Sequence, residues 1–358
     1  AMTAGATPEN FDVVVEKLVE SGEVKVWKAQ DIIRSIESHS PEEEASLTIE
    51  PPKKVDSKGV GYGKVILFGE HAVVYGSHAL AAPVSLNIQA RIKAQAEGVN
   101  LSIPRWGIEQ HISLDGTREN SLRASLGLIL EKLELKDRKM LIEVWPHVPR
   151  AMGMGASAAL AVAVIRALSD QYRLNLSDND VNGLAFEVEK LAHGTPSGID
   201  NTLATYRKFM LFKKGDPPLM QEVNAPKPIP IVLGLSGTES LTAAMVAKVR
   251  RQWENNRYLY ERIFAEIDGL TLEAVNLVEN YDLKQIGELM NICQGLLNAL
   301  GVSNWEVEEL IQIARDNGAL GAKLTGGGGG GSMIALCPDD PERVAAAIRR
   351  AGYRAMIT

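Results

Sequence analysis

From Gly59 onward the chain alternates short apolar runs with longer stretches in which apolar residues recur every three or four positions. KVILF (64–68) predicts a compact strand, and ALAAPVSLNIQARIKAQAE predicts at least one more. LIEVWPHVP (141–149) reads as a strand running into a glycine-rich turn. Ala156 to Leu168 is alanine-rich and periodic, the pattern of a buried helix. Ser177-Asp178-Asn179-Asp180 fits the Ser-x-x-acid capping pattern and opens a helix expected to run to about Ala192. Past about Pro226 come a strand (IPIVLGL), long helices through Leu300, another helix near 305–317, and a closing strand–helix–strand. No internal repeat is visible. The expected architecture is mixed α/β in two lobes.

Residues 1–58 have a different texture. Thr7-Pro8-Glu9 reads as a helix start, followed at helical spacing by Phe11, Val14, Val15, Leu18 and Val19. A second amphipathic helix is expected over Asp31 to Ser38, and PEEEASLTIEPPKKVDSKG has the composition of a linker. This stretch reads as an accessory helical piece, with a regulatory or nucleotide-sensing module as the alternative, since nothing in it looks catalytic. The expected divisions are therefore 1–58, 59–225 and 226–358.

Charge and cysteine usage narrow the classes. The formal net charge is −7, and twelve acids against seven bases place −5 of it within the first 58 residues. Such a balance argues against a nucleic-acid binder that must neutralise many phosphates. A small anionic ligand remains open, provided positive potential is concentrated locally. No apolar run reaches the ~20 residues of a bilayer span, and AMTAGATPEN lacks the layout of a leader. No membrane association is expected. The two cysteines, Cys293 and Cys337, lie far apart without metal-ligand spacing, which points away from a disulfide scaffold or zinc site and toward the cytoplasm.

Three glycine-rich segments carry the candidate chemistry. Between a strand and a helix stands Pro149-Arg150-Ala151-Met152-Gly153-Met154-Gly155-Ala156-Ser157-Ala158-Ala159. Its glycines let backbone amides turn inward, and the following helix aims its own unpaired amides at the same spot. That combination suits a polyphosphate, although it is neither a Walker loop nor the dinucleotide G-x-G-x-x-G. Lys323-Leu324-Thr325 precedes six glycines, Gly326 to Gly331, and Ser332. Six glycines are costly to order and would read as a linker, but the flanking helix and apolar strand SMIAL favour backbone packed against a ligand or another loop. The segment from Gly61 to Gly76 places Lys64 at a strand start and Glu70-His71 just past the strand's end.

Taken in order, these segments resemble the three motifs of the GHMP small-molecule kinases, with the spelling nearest to the mevalonate-phosphorylating members. KVILFGEHAVVYG corresponds to the first motif, Gly-Met-Gly-Ala-Ser-Ala-Ala to the phosphate loop and KLTGGGGGGS to the third. Glu189 to Asn201 resembles the segment that carries the family's catalytic aspartate. The likeness spans about residues 60 to 358, and the first 58 have no counterpart in the family's usual layout. The chain departs from the pattern at Gly61-Tyr62, where Ala-Pro is usual. It departs again at Ala156, where serine is usual, at Gly327, where alanine is usual, and at Ser332, where cysteine is common.

The resemblance implies an S5-like N-terminal lobe, a ferredoxin-like C-terminal lobe and an active site between them. It implies ATP and Mg²⁺ as cofactors and phosphorylation of the primary hydroxyl of (R)-mevalonate, a small-molecule substrate. It implies Asp200 as the catalytic carboxylate, with Lys64 beside it keeping it ionised and stabilising moving charge. Ser157 and Glu189 would hold Mg²⁺. The amides of Gly153, Met154, Gly155, Ala156, Ser157 and Ala158 would cradle the phosphates, and Gly326, Gly327, Gly328 and Gly329 would complete the wall. Glu70 and His71 would line the pocket for the acceptor's carboxylate and hydroxyl, with Ser197 by the phosphates or the active-site lysine and Thr242 near the phosphates. A homodimer is common among such proteins. Phosphomevalonate, homoserine or a sugar as acceptor, ATP-dependent decarboxylation, and a non-catalytic sensor remain the alternatives.

Overall fold

The structure, a computed structural model, describes residues 59–111, 122–149, 152–193, 196–238 and 242–358. The helices expected between Thr7 and Ser38, the linker, and Arg150, Ala151, Gly194 and Thr195 lie outside the described residues.

Two sheets organise the described chain. The first contains β1 (Gly59–Phe68), β2 (His78–Ala94), β3 (Val99–Ile103), β4 (Ile108–His111), β5 (Met140–Pro146), β6 (Phe209–Lys213) and β7 (Leu219–Val223). Its order is β4-β3-β5-β2-β6-β7, with β1 paired to β2. The 17 residues of β2 act as a spine. Their first part pairs with β6 and their second with β5, while β1 runs antiparallel along the opposite edge. The second sheet has the order β11-β8-β10-β9, built from β8 (Ile231–Leu235), β9 (Gly321–Thr325), β10 (Ser332–Leu336) and β11 (Arg354–Ile357). All of its pairings are antiparallel.

Nine α-helices accompany the sheets among the described residues: α1 (Leu122–Lys132), α2 (Ala156–Tyr172), α3 (Asp178–His193), α4 (Ile199–Tyr206), α5 (Thr242–Asn255), α6 (Arg257–Glu279), α7 (Leu283–Ala299), α8 (Trp305–Asp316) and α9 (Pro341–Arg350). The capping pattern at Ser177 forms as expected: Asp180 N–H donates to Ser177 Oγ, and Ser177 N–H donates back to the Asp180 carboxylate. None of these helices is long and apolar enough to cross a membrane.

The strand expected at Lys64 in fact begins at Gly59, and the alanine-rich helix explains why. A Cβ at Gly59 would lie 2.1 Å from the Ala163 carbonyl oxygen, and one at Gly61 would lie 2.0 Å from that of Ala159. Glycines two apart on a strand therefore meet alanines four apart on α2, and the strand backbone rests directly on the helix backbone. Gly61 stands where the family usually has alanine. Tyr62, in place of proline, lies beneath the guanidinium of Arg207, 4.7 Å from its ring centroid.

Candidate active site

The close contact between β1 and α2 delivers Lys64 to the mouth of the glycine loop. A register shift between Tyr62 and Lys64 interrupts pairing with β2. The Lys64 amide instead donates to Met154 O at 3.1 Å. On the other side of the loop, Ser332 Oγ donates to Met152 O at 2.9 Å, so β1 and β10 both fix its course. Gly155 caps α2 at φ 67°, ψ 32°, a left-handed conformation that L side chains adopt at a cost. Its missing side chain also leaves room, since a Cβ there would sit 3.3 Å from Lys64 Cγ and 3.5 Å from the Asp200 carboxylate.

Asp200 enters from α4. Gly198 caps that helix at φ 84°, and Asp200 occupies its first turn, where backbone amides favour negative charge. Lys64 Nζ stands 3.2 Å from Asp200 Oδ1, with side-chain exposures of 9% and 34%. The pair is thus shielded on the lysine side and open on the carboxylate side. Lys64 and Asp200, 136 positions apart, share one cavity of about 870 Å³ with Met152 to Ser157, Glu189, Ser197, Thr242, Gly326 and Gly327. Ser157 is exposed, Glu189 is buried, and the Ser197 hydroxyl accepts a hydrogen bond from Ile199 N at 3.3 Å.

Three phosphate-wall residues are placed elsewhere. Ala158 is fully buried in the core face of α2. Gly329 N–H is spent on Val302 O at 2.8 Å, and a Cβ at Gly328 would lie 2.1 Å from that same oxygen. Only the first two glycines of the run face the cavity. The others let the loop fold tightly against the α7–α8 connection and α5, so the run is packed backbone rather than a linker. A Cβ at Gly327 would approach Thr242 within 2.4 Å, so α5 here occupies the room that the family's usual alanine would take.

Glu70 and His71 are both buried residues that line the same cavity. The Glu70 side chain is entirely buried, as is that of Lys323, with which it forms an ion pair. Burial pushes the Glu70 carboxyl above its ordinary range, opposed by the Lys323 charge. One Glu70 carboxylate oxygen thus faces Lys323, while the other, Oε2, is buried without a hydrogen-bond partner among the described residues. His71 holds φ 60°, ψ −48°, a conformation costing on the order of 1–3 kcal/mol for a non-glycine residue. Its Nε2 lies 2.9 Å from Gly327 O. A carbonyl only accepts, so Nε2 carries the proton and Nδ1 is left as the acceptor. Burial lowers the ring's pKa from 6.5, with the Gly327 bond acting in the opposite direction.

One wall of the cavity escaped the sequence reading. Trp106, Ile108, Leu122, Leu126, Ile129, Leu160 and Val188 form an apolar recess continuous with the glycine loop. The spacing of Leu122, Leu126 and Ile129 is visible along the chain, but that spacing also describes an ordinary core face.

A cation and a carboxylate in contact, beside a glycine loop at a helix N-terminus and an apolar recess, suit phosphoryl transfer to a small acceptor from a donor with a flat base. The chain belongs to the GHMP kinase family: residues 120–209 match the GHMP kinases N terminal domain, and residues 274–354 match the GHMP kinases C terminal region. Within that family its relatives include mevalonate kinases. Those of Thermococcus sibiricus and Pyrococcus abyssi are each 36% identical, over 82% of this chain and 93% and 92% of theirs. Among solved structures, L. major mevalonate kinase in complex with R-mevalonate has a TM-score of 0.71 at 33% identity, covering 84% of this chain and 93% of that one. Methanococcus jannaschii mevalonate kinase has a TM-score of 0.74 at 25% identity, covering 83% and 96%.

Proposed function

We propose that this chain transfers the γ-phosphoryl group of ATP to the primary hydroxyl of (R)-mevalonate. The observation that carries this reading is the Lys64–Asp200 pair at 3.2 Å, opening onto the Gly153–Ser157 loop inside one cavity. Asp200 takes the proton of the acceptor hydroxyl as its oxygen bonds to the γ-phosphorus, and the bond from γ-phosphorus to the bridging oxygen breaks to release ADP. Lys64 neutralises charge on the oxygens in flight, and the loop amides hold the donor phosphates in line. The recess around Trp106 and Leu126 takes the base. Ser157 and Glu189, a hydroxyl and a buried carboxylate at the cavity wall, fit the hard oxygen donors that Mg²⁺ prefers, and would hold it beside the phosphates to offset their charge.

The charge inventory favours an unphosphorylated acceptor. Among the described residues lining the cavity, Lys64 is the lysine or arginine present, against Glu70, Glu189 and Asp200. A phosphate already on the acceptor would add a dianion without an added cation. A homodimer acting in the cytoplasm completes the proposal by family resemblance. ADP release with (R)-mevalonate, phosphomevalonate, homoserine and galactose tests the acceptor, and a CO₂ assay tests decarboxylation. No turnover of mevalonate beside turnover of another acceptor would overturn the assignment, while ATP binding without any turnover would point to a sensor.

A further inference from the structure

Lys323 and Thr325 lie on β9 in the third glycine motif, yet nothing in the phosphoryl-transfer scheme above uses their side chains. Both reach the chain that carries the acceptor side of the cleft. Thr325 Oγ1 accepts from Ile66 N at 2.9 Å and donates to Ile66 O at 3.0 Å, closing both backbone groups of one β1 residue. Lys323 Nζ pairs with Glu70 and also donates to Leu324 O at 2.8 Å. Two residues past the strand, Gly327 O receives the His71 ring proton.

Such a seam needs a reason beyond stability. An ion pair wholly removed from water is often no better than a packed apolar pair. Glu70, however, is the residue immediately before His71, whose backbone sits in a strained conformation that persists only where neighbours over-determine it. On the other side of His71, the turn Ala72–Tyr75 is held by Tyr75 stacked on Phe264 of α6, with ring centroids 4.3 Å apart. His71 is therefore gripped from both flanks.

We propose that Lys323 and Thr325 are positioning residues for acceptor recognition, clamping Ile66–His71 to β9 so that His71 keeps Nε2–H on Gly327 O and presents Nδ1 to a hydroxyl of the acceptor. The clamp rests on the phosphotransfer reading of the cleft and extends it to residues outside the site. The glycine loop on the donor side is held by other hydrogen bonds, Lys64 N on Met154 O and Ser332 Oγ on Met152 O. Loss of the clamp therefore weakens acceptor binding with little effect on ATP.

The test compares Thr325→Val, Thr325→Ser and the double variant Glu70→Gln/Lys323→Met with the unmodified chain, measuring KM for mevalonate and for ATP by ADP release. Thr325→Val and the double variant are expected to raise the mevalonate KM about tenfold, a fraction of the ~100-fold that a 1 Å misplacement can cost. The ATP KM should stay within about twofold, and Thr325→Ser should restore the mevalonate KM. If Thr325→Val fails to fold, the double variant decides the same question. Two KM values rising in step, or neither rising, would overturn the clamp. An unmodified chain that never turns over mevalonate sinks the function instead. Nitrogen-15 NMR of the histidine rings, assigned with His71→Asn, still tests the clamp in that event. The His71 ring should be protonated at Nε2 alone in the unmodified chain and mixed in the double variant, and an unchanged tautomer contradicts the proposal.

Discussion

A single methyl group at Gly155 separates the cost of folding from the cost of chemistry. Gly155→Ala puts an L side chain at φ 67°, which costs roughly 1–2 kcal/mol for a left-handed residue. The new Cβ meets Lys64 Cγ at 3.3 Å and the Asp200 carboxylate at 3.5 Å, snug contacts rather than a collision, so the fold should survive. A loss of that size shifts Tm by about 2–8 °C, taking roughly 2–4 °C per kcal/mol for a domain of 150–250 residues. Activity should suffer far more. The methyl stands where the reacting oxygen and the phosphate must approach the pair, and a displacement of about 1 Å there costs on the order of 100-fold in rate. Thermal melting and ADP release on the same preparation measure both quantities. A folded Gly155→Ala protein with kcat within about threefold of the unmodified chain would refute the claim that the space in front of Lys64 and Asp200 is where transfer occurs.

Other expectations follow from burial. Because burial holds the folded His71 value below 6.5, the native state binds fewer protons than the unfolded chain between the two values. The stability carried by the neutral ring is complete above about pH 6.5 and is lost as pH falls through the folded value. Over that window the mevalonate KM should rise, because protonation turns Nδ1 from acceptor to donor, and His71→Asn should remove this dependence when KM is measured across pH 5 to 8. Cys293 and Cys337 are both buried, and burial pushes each thiol up to about 12. Ellman's reagent should therefore find no reactive thiol in the folded protein and both after unfolding, and rapid labelling of native protein would contradict that placement.

How far the sequence could be read depended on the range of the interactions. Local periodicity located the buried helix at Ala156 and the capped helix after Ser177, because spacing and capping are properties of neighbouring residues. Motif order anticipated that Lys64 and Asp200 meet, which no local pattern contains. Short strands such as β3 and β6, and the helix α4, went unanticipated. Each is a brief run whose identity comes from the strand or helix it packs against. The first motif placed Glu70 in the cleft, but its partner Lys323 lies 253 positions away, and nothing along the chain announces that charge pair. The apolar recess was hidden for a related reason: Leu126 beside an empty volume and Leu126 inside a core look the same in one dimension.

The most direct test of the central claim is Asp200→Asn, which keeps shape and removes the acid. With (R)-mevalonate and ATP, turnover should fall by about 10²–10⁴-fold, the usual worth of a positioned general base. ATP affinity measured by calorimetry should change by no more than a few-fold. An Asn variant that still phosphorylates mevalonate within tenfold of the unmodified chain would contradict the assignment of Asp200 as the proton acceptor opposite Lys64.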